Sequence, residues 1–251
     1  MEDLYETKFD PETYLNEFYL MTGKNRRFAS FMLCQLSQTF SSGKYKGKRL
    51  IEIGTGPTIH TLISASAHFE EIVVSDYAEV NRREVEKWLR DEEGCFNWNR
   101  HIQFACDVEG RSRTPAVVKE TLRQKIKHVL KCDVNLENPF QPLTVEPADC
   151  IISSLCLEAA CKDREAYRRS LEAVVGLLQP GGVLVMIGDL SETFYTVGDQ
   201  RFPVVSLSQE FIEDTLCELG MSVQHFNRQK LTNTEDRSDI EANFYLVAHK
   251  E

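Results

Sequence analysis

Two glycines stand two positions apart after an apolar run in "LIEIGTGPT", residues 50 to 58. Such a turn at a strand end lets the backbone approach a nucleotide closely. Which nucleotide it holds decides the chemistry. A dinucleotide fingerprint needs a third glycine at position 59, where this chain has Ile59. A triphosphate loop needs Gly-Lys followed by Ser or Thr, and that is absent. Glu52 precedes the first glycine. A carboxylate so near repels phosphate and favours a cation. S-adenosylmethionine carries a sulfonium and an ammonium and no phosphate, so Gly54 and Gly56 suit it. Asp76 closes the run "EEIVVSD", where a carboxylate can accept both ribose hydroxyls. Asp133 in "KCDV" can accept from the adenine amino group, with the Val134 N–H on a ring nitrogen.

These residues need strand ends to hold them. "RLIEIG" (49–54) and "EEIVVSDY" (70–77) read as buried strands, with a helical run "TIHTLISASAHF" between them. "NRREVEKWLRDEE" is a helix with Val85, Trp88 and Leu89 inward. "HIQFACDV" (101–108) is expected as a third strand, followed by a helix over 117–130. "ADCIISSLCLE" is a strand buried on both faces. In "DREAYRRSLEAVVGLLQPGG" Asp163 caps a helix, Tyr167, Leu171, Val174 and Leu178 face inward, and Pro180 and Gly181 stop it. "VLVMIGDL" is a strand, "SQEFIEDTLCELG" a helix capped by Ser208, and "MSVQHFNRQ" and "ANFYLVAHK" a closing antiparallel pair. The alternation predicts a doubly wound α/β domain with a mostly parallel sheet. Residues 1 to 45 form a helical cap on a core of residues 46 to 251, all one domain. In the cap, Asp10-Pro11 starts a helix whose Tyr14, Phe18 and Tyr19 share a face. That stripe is either plain packing or a lid.

The net charge of -10 argues against nucleic acid. The densest basic stretch, "LRQKIKHVLK", reads as a solvated helix face. No apolar run reaches the roughly 18 residues of a membrane span. No signal core or lipidation motif is seen, so the expected location is the cytoplasm. None of the eight cysteines forms a CxxC pair, which argues for reduced thiols and against zinc.

"IEIGTGPTIHTLISA", "IVVSDYAEVNRREVEKWL", "LKCDV", "SSLCLEAAC" and "LLQPGG" resemble the small-molecule N-methyltransferases of nicotinamide, phenylethanolamine and indolethylamine. The resemblance runs from about residue 9 to the end. It implies a Rossmann-like class I methyltransferase sheet, mostly parallel with a C-terminal antiparallel strand, under an N-terminal cap. It implies that Tyr14, Tyr19, Gly54, Gly56, Thr58, His60, Asp76, Asn81, Asp133, Val134 and Ser154 hold the cofactor. It assigns Leu155, Glu158, Glu192, Tyr195 and Asp239 to the substrate, and Glu158 and Glu192 to catalysis. His60 replaces the tyrosine usual in the family. Gly188 stands where the nicotinamide enzyme has a pocket aspartate, and Asp189 comes one residue later. Ser238 and Asp239 stand where the amine enzyme has paired acids.

An amine arrives as ammonium and must lose a proton before it attacks. Glu158 and Glu192 can pair with it and relay that proton. The expected function is S-adenosylmethionine-dependent N-methylation of a small aromatic or alkyl amine by a monomer. The alternatives are a nicotinamide or pyridine N-methyltransferase, and a non-catalytic S-adenosylmethionine-binding regulator.

Overall fold

The computed structural model describes residues 4–23, 25–231 and 237–251. Residues 1–3 and Lys24 of the expected cap lie outside the described residues. The chain opens with α1 (Leu4–Thr7), α2 (Pro11–Phe18) and α3 (Asn25–Ser41). Asp10 caps α2 by accepting from Glu12 N and Thr13 N, and Pro11 supplies a preset φ at the first position. Strand and helix then alternate through β1 (Gly47–Ile53), α4 (Leu62–Ala65), β2 (Phe69–Asp76) and α5 (Glu79–Leu89). Next come α6 (Asn99–Val108), α7 (Pro115–Lys125), β3 (Ile126–Lys131), β4 (Ala148–Ser154), α8 (Leu157–Ala160) and α9 (Arg164–Gly176). The last third holds β5 (Leu178–Leu190), β6 (Phe194–Val197), β7 (Gln200–Pro203), α10 (Gln209–Glu218), β8 (Met221–Lys230) and β9 (Ala242–Lys250).

Seven strands form one sheet in the order β3-β2-β1-β4-β5-β9-β8. The first five are parallel, while β9 runs antiparallel to both β5 and β8. The order reverses between β1 and β4, so their carboxyl ends open a crevice. Leu50, Ile51 and Ile53 of β1 and Ile151 and Ile152 of β4 are fully buried, as their unbroken apolar runs require. The core splits into two layers, one on each sheet face. The face with α9 and α10 takes Tyr167, Leu171 and Val174, one helical stripe. Fully burying each such side chain contributes about 1.5–3 kcal/mol. Asp163 and Ser208 cap α9 and α10 as expected.

Three expectations need correction, and one element was not expected. "HIQFACDV" is not a strand but most of α6, with His101, Ile102, Ala105 and Cys106 buried. That spacing is helical, and the apolar content misled. The helix expected over 117–130 ends at Lys125, and Ile126–Lys131 is the edge strand β3. Pairing with β2 decides this, because otherwise the β2 edge would be bare. Exposed Lys127, His128 and Lys131 guard the new edge. The helix after Asp163 ends at Gly176, ahead of Pro180 and Gly181, and Leu178 is buried in β5 rather than on a helix face. The β6–β7 hairpin was not expected, although "FYTV-GD-QRF" has a two-residue Gly-Asp turn between strand-like runs.

The hairpin seats the cap. Phe9, Val197 and Phe202 form a small third core, joined by Tyr5, Tyr14, Phe18 and Tyr195. Gly198 N donates to Glu17 Oε2 at 3.1 Å, and Arg237 pairs with Glu17 Oε1 at 3.0 Å. Among the described residues, no helix is long and apolar enough to cross a membrane. All eight cysteines are free.

Candidate active site

The crevice holds a cavity of about 230 Å³. Its floor is the turn after β1. Gly54 (φ +70°) and Gly56 (φ +59°) take a backbone conformation that side chains resist. At Gly54 a Cβ would lie 2.1 Å from Cys156 Sγ, so the turn and the start of α8 touch. At Gly56 a Cβ would meet no protein atom within 4 Å, so this glycine keeps the cavity open. Thr58 is buried, and its hydroxyl donates to the Thr55 carbonyl at 2.8 Å.

Glu52 does not line the cavity. It is buried beneath the turn, accepting from Thr55 Oγ1 at 2.7 Å and from Thr61 Oγ1. Burial pushes its carboxyl up to about 7, against the pull of the two threonine hydroxyls. Glu52 therefore shapes the turn from below and does not face a ligand. The acids that do face the cavity are Asp76 and Asp133. Among the described residues, the wall carries no Lys or Arg.

Asp76 ends β2. Its Oδ2 accepts from Gly56 N at 2.8 Å, and its Oδ1 from Ala78 N at 2.9 Å and Asn81 Nδ2 at 3.0 Å. Burial raises its pKa, and these donors pull it back. Asn81 also lines the cavity, and its Oδ1 is buried with no hydrogen-bond partner. Asp133, Val134, Ser154 and Leu155 complete the strand-end wall. Leu155 sits at φ +52°, with its N–H bonded to the Ile187 carbonyl at 2.8 Å.

Tyr5, Phe9, Tyr14, Tyr19 and Tyr195 roof the cavity. The Tyr5 and Tyr195 hydroxyls are 2.9 Å apart, and those of Tyr14 and Tyr19 are 3.3 Å apart. The aromatic stripe of α2 thus covers the crevice, and packing and roofing are one arrangement. His60 lines the wall, stacked on Trp98 at 5.7 Å, with burial holding its pKa well below the usual value. It is neutral.

Glu158 and Glu192 are buried but stand behind the cavity wall. Tyr5 feels the charge of Glu158, and Tyr14 and Tyr195 feel that of Glu192. Burial, then the neighbouring Glu192, pushes Glu158 up to about 7. Burial, then Asp189, pushes Glu192 up to about 9. Among the described residues, no Lys, Arg or His bonds to either. Asp239 is misplaced for a substrate contact. It is exposed and lines no part of the cavity. It accepts from Thr193 N at 2.8 Å and Phe194 N at 3.3 Å, pinning the start of β6. Burial opposes its charge, yet these bonds bring its pKa below the usual value. Its neighbour Ser238 instead donates to Glu192.

The sequence reading missed Tyr5, Phe9, Cys132, Asn135 and Cys156 in the wall. Tyr5 and Phe9 extend the aromatic stripe that marked Tyr14, so the signal was present. Cys132 and Cys156 adjoin strand ends and carry no pattern of their own.

The family profile for the NNMT/PNMT/TEMT family matches residues 1–251. The chain belongs to that family. It is 37% identical over 252 residues to the nicotinamide N-methyltransferase of Sus scrofa, covering 99% of this chain and 96% of that one. It is 38% identical over 224 residues to the phenylethanolamine N-methyltransferase of Macaca mulatta, covering 86% and 79%. In structure it is similar to the N-methyltransferase NodS of Bradyrhizobium japonicum, solved with S-adenosyl-L-homocysteine. That likeness has a TM-score of 0.54 and 17% identity, over 98% of this chain and 94% of that one, and bears on the fold.

As an NNMT/PNMT/TEMT-family enzyme, the protein is an N-methyltransferase whose methyl donor is S-adenosylmethionine. The cavity fits this donor. Its wall offers acceptors and aromatic rings without a cation, its glycine turn leaves open space, and Asn81 Oδ1 awaits a donor. Among the described residues, no group of three or more His, Cys, Asp or Glu is placed to hold a metal.

Proposed function

We propose that this N-methyltransferase acts on a small amine that reaches it as an ammonium ion. The observation that carries this is the carboxyl cluster of buried Glu158 and Glu192 with half-buried Asp189, paired with no base among the described residues. Burying carboxyls without a cation is costly, and a cationic acceptor supplies the missing partner. The position that differs between relatives supports the same reading. A Cβ at Gly188 would lie 2.6 Å from the Phe244 ring and 2.8 Å from Glu158 Oε1. An aspartate in that place has no room while Glu158 keeps its position.

S-adenosylmethionine supplies an electrophilic methyl group when bound. Asp76 accepts from its ribose, Asp133 and Val134 meet its adenine, and Gly54, Gly56, Thr58, Asn81 and Ser154 line its path. Tyr14, Tyr19 and His60 close over it and exclude water. Leu155 and Tyr195 border the acceptor. Glu158 and Glu192, behind the wall at Tyr195, would draw the ammonium past that ring and take its proton, which frees the nitrogen lone pair. Positioning provides much of the rest. We infer that the cap and core work as one unit, in a monomer.

A second reading is methylation of nicotinamide or another pyridine. The nicotinamide enzyme of Sus scrofa supports it, at 37% identity over 99% of this chain, as the indolethylamine enzyme of Oryctolagus cuniculus, at 36% over 99%, supports the first reading. A pyridine nitrogen needs no proton removed, so the two readings separate on the acids. In a methyl-transfer panel we expect turnover of phenylethanolamine or tryptamine above that of nicotinamide. Glu158→Gln and Glu192→Gln are each expected to cut kcat/KM for the amine at least about tenfold, a small share of the range for proton-transfer groups. Unchanged amine turnover in both variants would remove the acids from the mechanism. Turnover of nicotinamide alone would hand the function to the second reading.

A further inference from the structure

Asp189, at the end of β5, is not among the residues that the family resemblance assigns. Its carboxyl is hydrogen-bonded to that of Glu192 and accepts from Asn243 Nδ2. Two carboxyl groups bond to one another only when one of them carries a proton. Its backbone N–H donates to Glu158 Oε1 at 3.3 Å, so Asp189 bridges the two glutamates. A second, independent observation points to a ligand. Asn243 is buried, and its Oδ1 has no hydrogen-bond partner. An amide oxygen left bare on the side chain that bonds Asp189 is suited to an N–H donor.

We propose that Asp189 and Glu192 form one proton-sharing pair that takes the acceptor's proton, selecting alkylamines that arrive as ammonium ions. The inference rests on the amine reading above. The pair holds one proton and one negative charge when the ammonium binds. An ammonium N–H bond then breaks, and an O–H bond forms on the carboxylate oxygen still free. Both carboxyls become neutral, and the nitrogen keeps its electron pair for attack. The product leaves as a methylated ammonium, and the pair returns its extra proton to water. No oxidation or reduction takes place.

The surroundings keep the pair protonated. Tyr14 and Tyr19 from the cap and Tyr195 from β6 feel its charge, and Asp239 ahead of β9 adds its own. Tyr5, Cys156, Cys161 and Tyr167 face Glu158. None of these brings a positive charge. Burial, then the other acids, pushes Asp189 up to about 7 and Glu192 up to about 9, and the two titrate together. A pair poised near neutrality is a usable proton acceptor for an alkylammonium of pKa about 10. A pyridine gives it no proton to take.

The test uses the full chain, with Asp189→Asn, Asp189→Glu and Asn243→Leu. One readout needs neither donor nor acceptor. Folding lifts the pair above its unfolded values near 4, so the native state keeps protons that the unfolded chain releases. Stability therefore falls as pH rises from about 4 to about 9. We expect that decline in the melting temperature of the wild type, and a flatter curve in Asp189→Asn. The other readout is kcat/KM for phenylethanolamine against pH. The wild-type acid limb is expected near pH 7, from the Asp189 value of about 7. In Asp189→Asn the limb belongs to Glu192 alone and should no longer fall near pH 7, with activity at pH 7.5 about tenfold lower. Asp189→Glu should restore the limb, and Asn243→Leu should shift it less than Asp189→Asn does. A folded Asp189→Asn with the wild-type limb and rate overturns the pair's role but leaves the amine reading standing. A wild type that methylates nicotinamide and neither amine overturns both. If Asp189→Asn fails to fold, a wild-type melting curve flat from pH 5 to pH 9, beside a Glu192 value of about 9, overturns the pair itself.

Discussion

Asp76→Ala is expected to weaken binding of S-adenosylmethionine by at least about 100-fold. Three donors, Gly56 N, Ala78 N and Asn81 Nδ2, fix this carboxylate at 2.8, 2.9 and 3.0 Å. They leave it aimed into the cavity with lone pairs still open. Under the proposed function, two charge-assisted bonds to ribose hydroxyls, at about 1.5 kcal/mol each or more, would supply roughly 3 kcal/mol, which is about 100-fold in affinity. The loss does not stop there. Asp76 also ties the turn after β1 to the turn after β2, so alanine strands three donors at once. We expect unfolding stability to fall by about 2–4 kcal/mol as well. Calorimetry with S-adenosyl-L-homocysteine and urea unfolding measure the two separately. An affinity within threefold of wild type would remove Asp76 from the cofactor site.

Gly54→Ala is expected to destabilise the fold by about 2–5 kcal/mol. The left-handed φ of +70° costs a side chain about 1–2 kcal/mol. The new methyl would overlap Cys156, 2.1 Å from its Sγ and 2.5 Å from its Cβ, and overpacking costs about 1–3 kcal/mol more. Relief requires moving the start of α8, which carries Glu158. Gly56→Ala is the control. It meets no atom within 4 Å, so only the backbone strain applies to stability. Its methyl would instead enter the open space of the cavity. One glycine thus guards the fold and the other guards the ligand. Equal urea midpoints for the two variants would contradict this division.

Much of the fold could be read from local pattern. The buried runs of β1 and β4 and the caps at Asp10, Asp163 and Ser208 are local facts that tertiary packing leaves in place. β3 could not be read this way. Leu122, Ile126, Val129 and Leu130 fit a helix as well as a strand, and the β2 edge decides between them from outside. Much of the cavity wall was legible because it grows from strand ends in sequence order. The charge argument reached the right ligand through the wrong acid, since Glu52 points under the turn while Asp76 and Asp133 face the cavity. The Asp189–Asn243 pair was illegible. It joins β5 to β9 across 54 positions, and no spacing rule reports such a contact.

The seat of the cap also has a consequence for how the chain comes to be folded. Tyr5 meets Tyr195 across 190 positions, and Glu17 reaches Gly198 and Arg237. On the ribosome the first helices emerge long before the hairpin they dock on. The aromatic residues of α1 and α2 must wait, uncovered, while the sheet assembles up to β5. Cap docking is then expected to be the final event of biosynthesis, with the long-separation contacts that slow folding. Tyr5 and Tyr195, one of those late contacts, also roof the cavity. The cavity therefore gains its roof only when the last contacts of the fold are made.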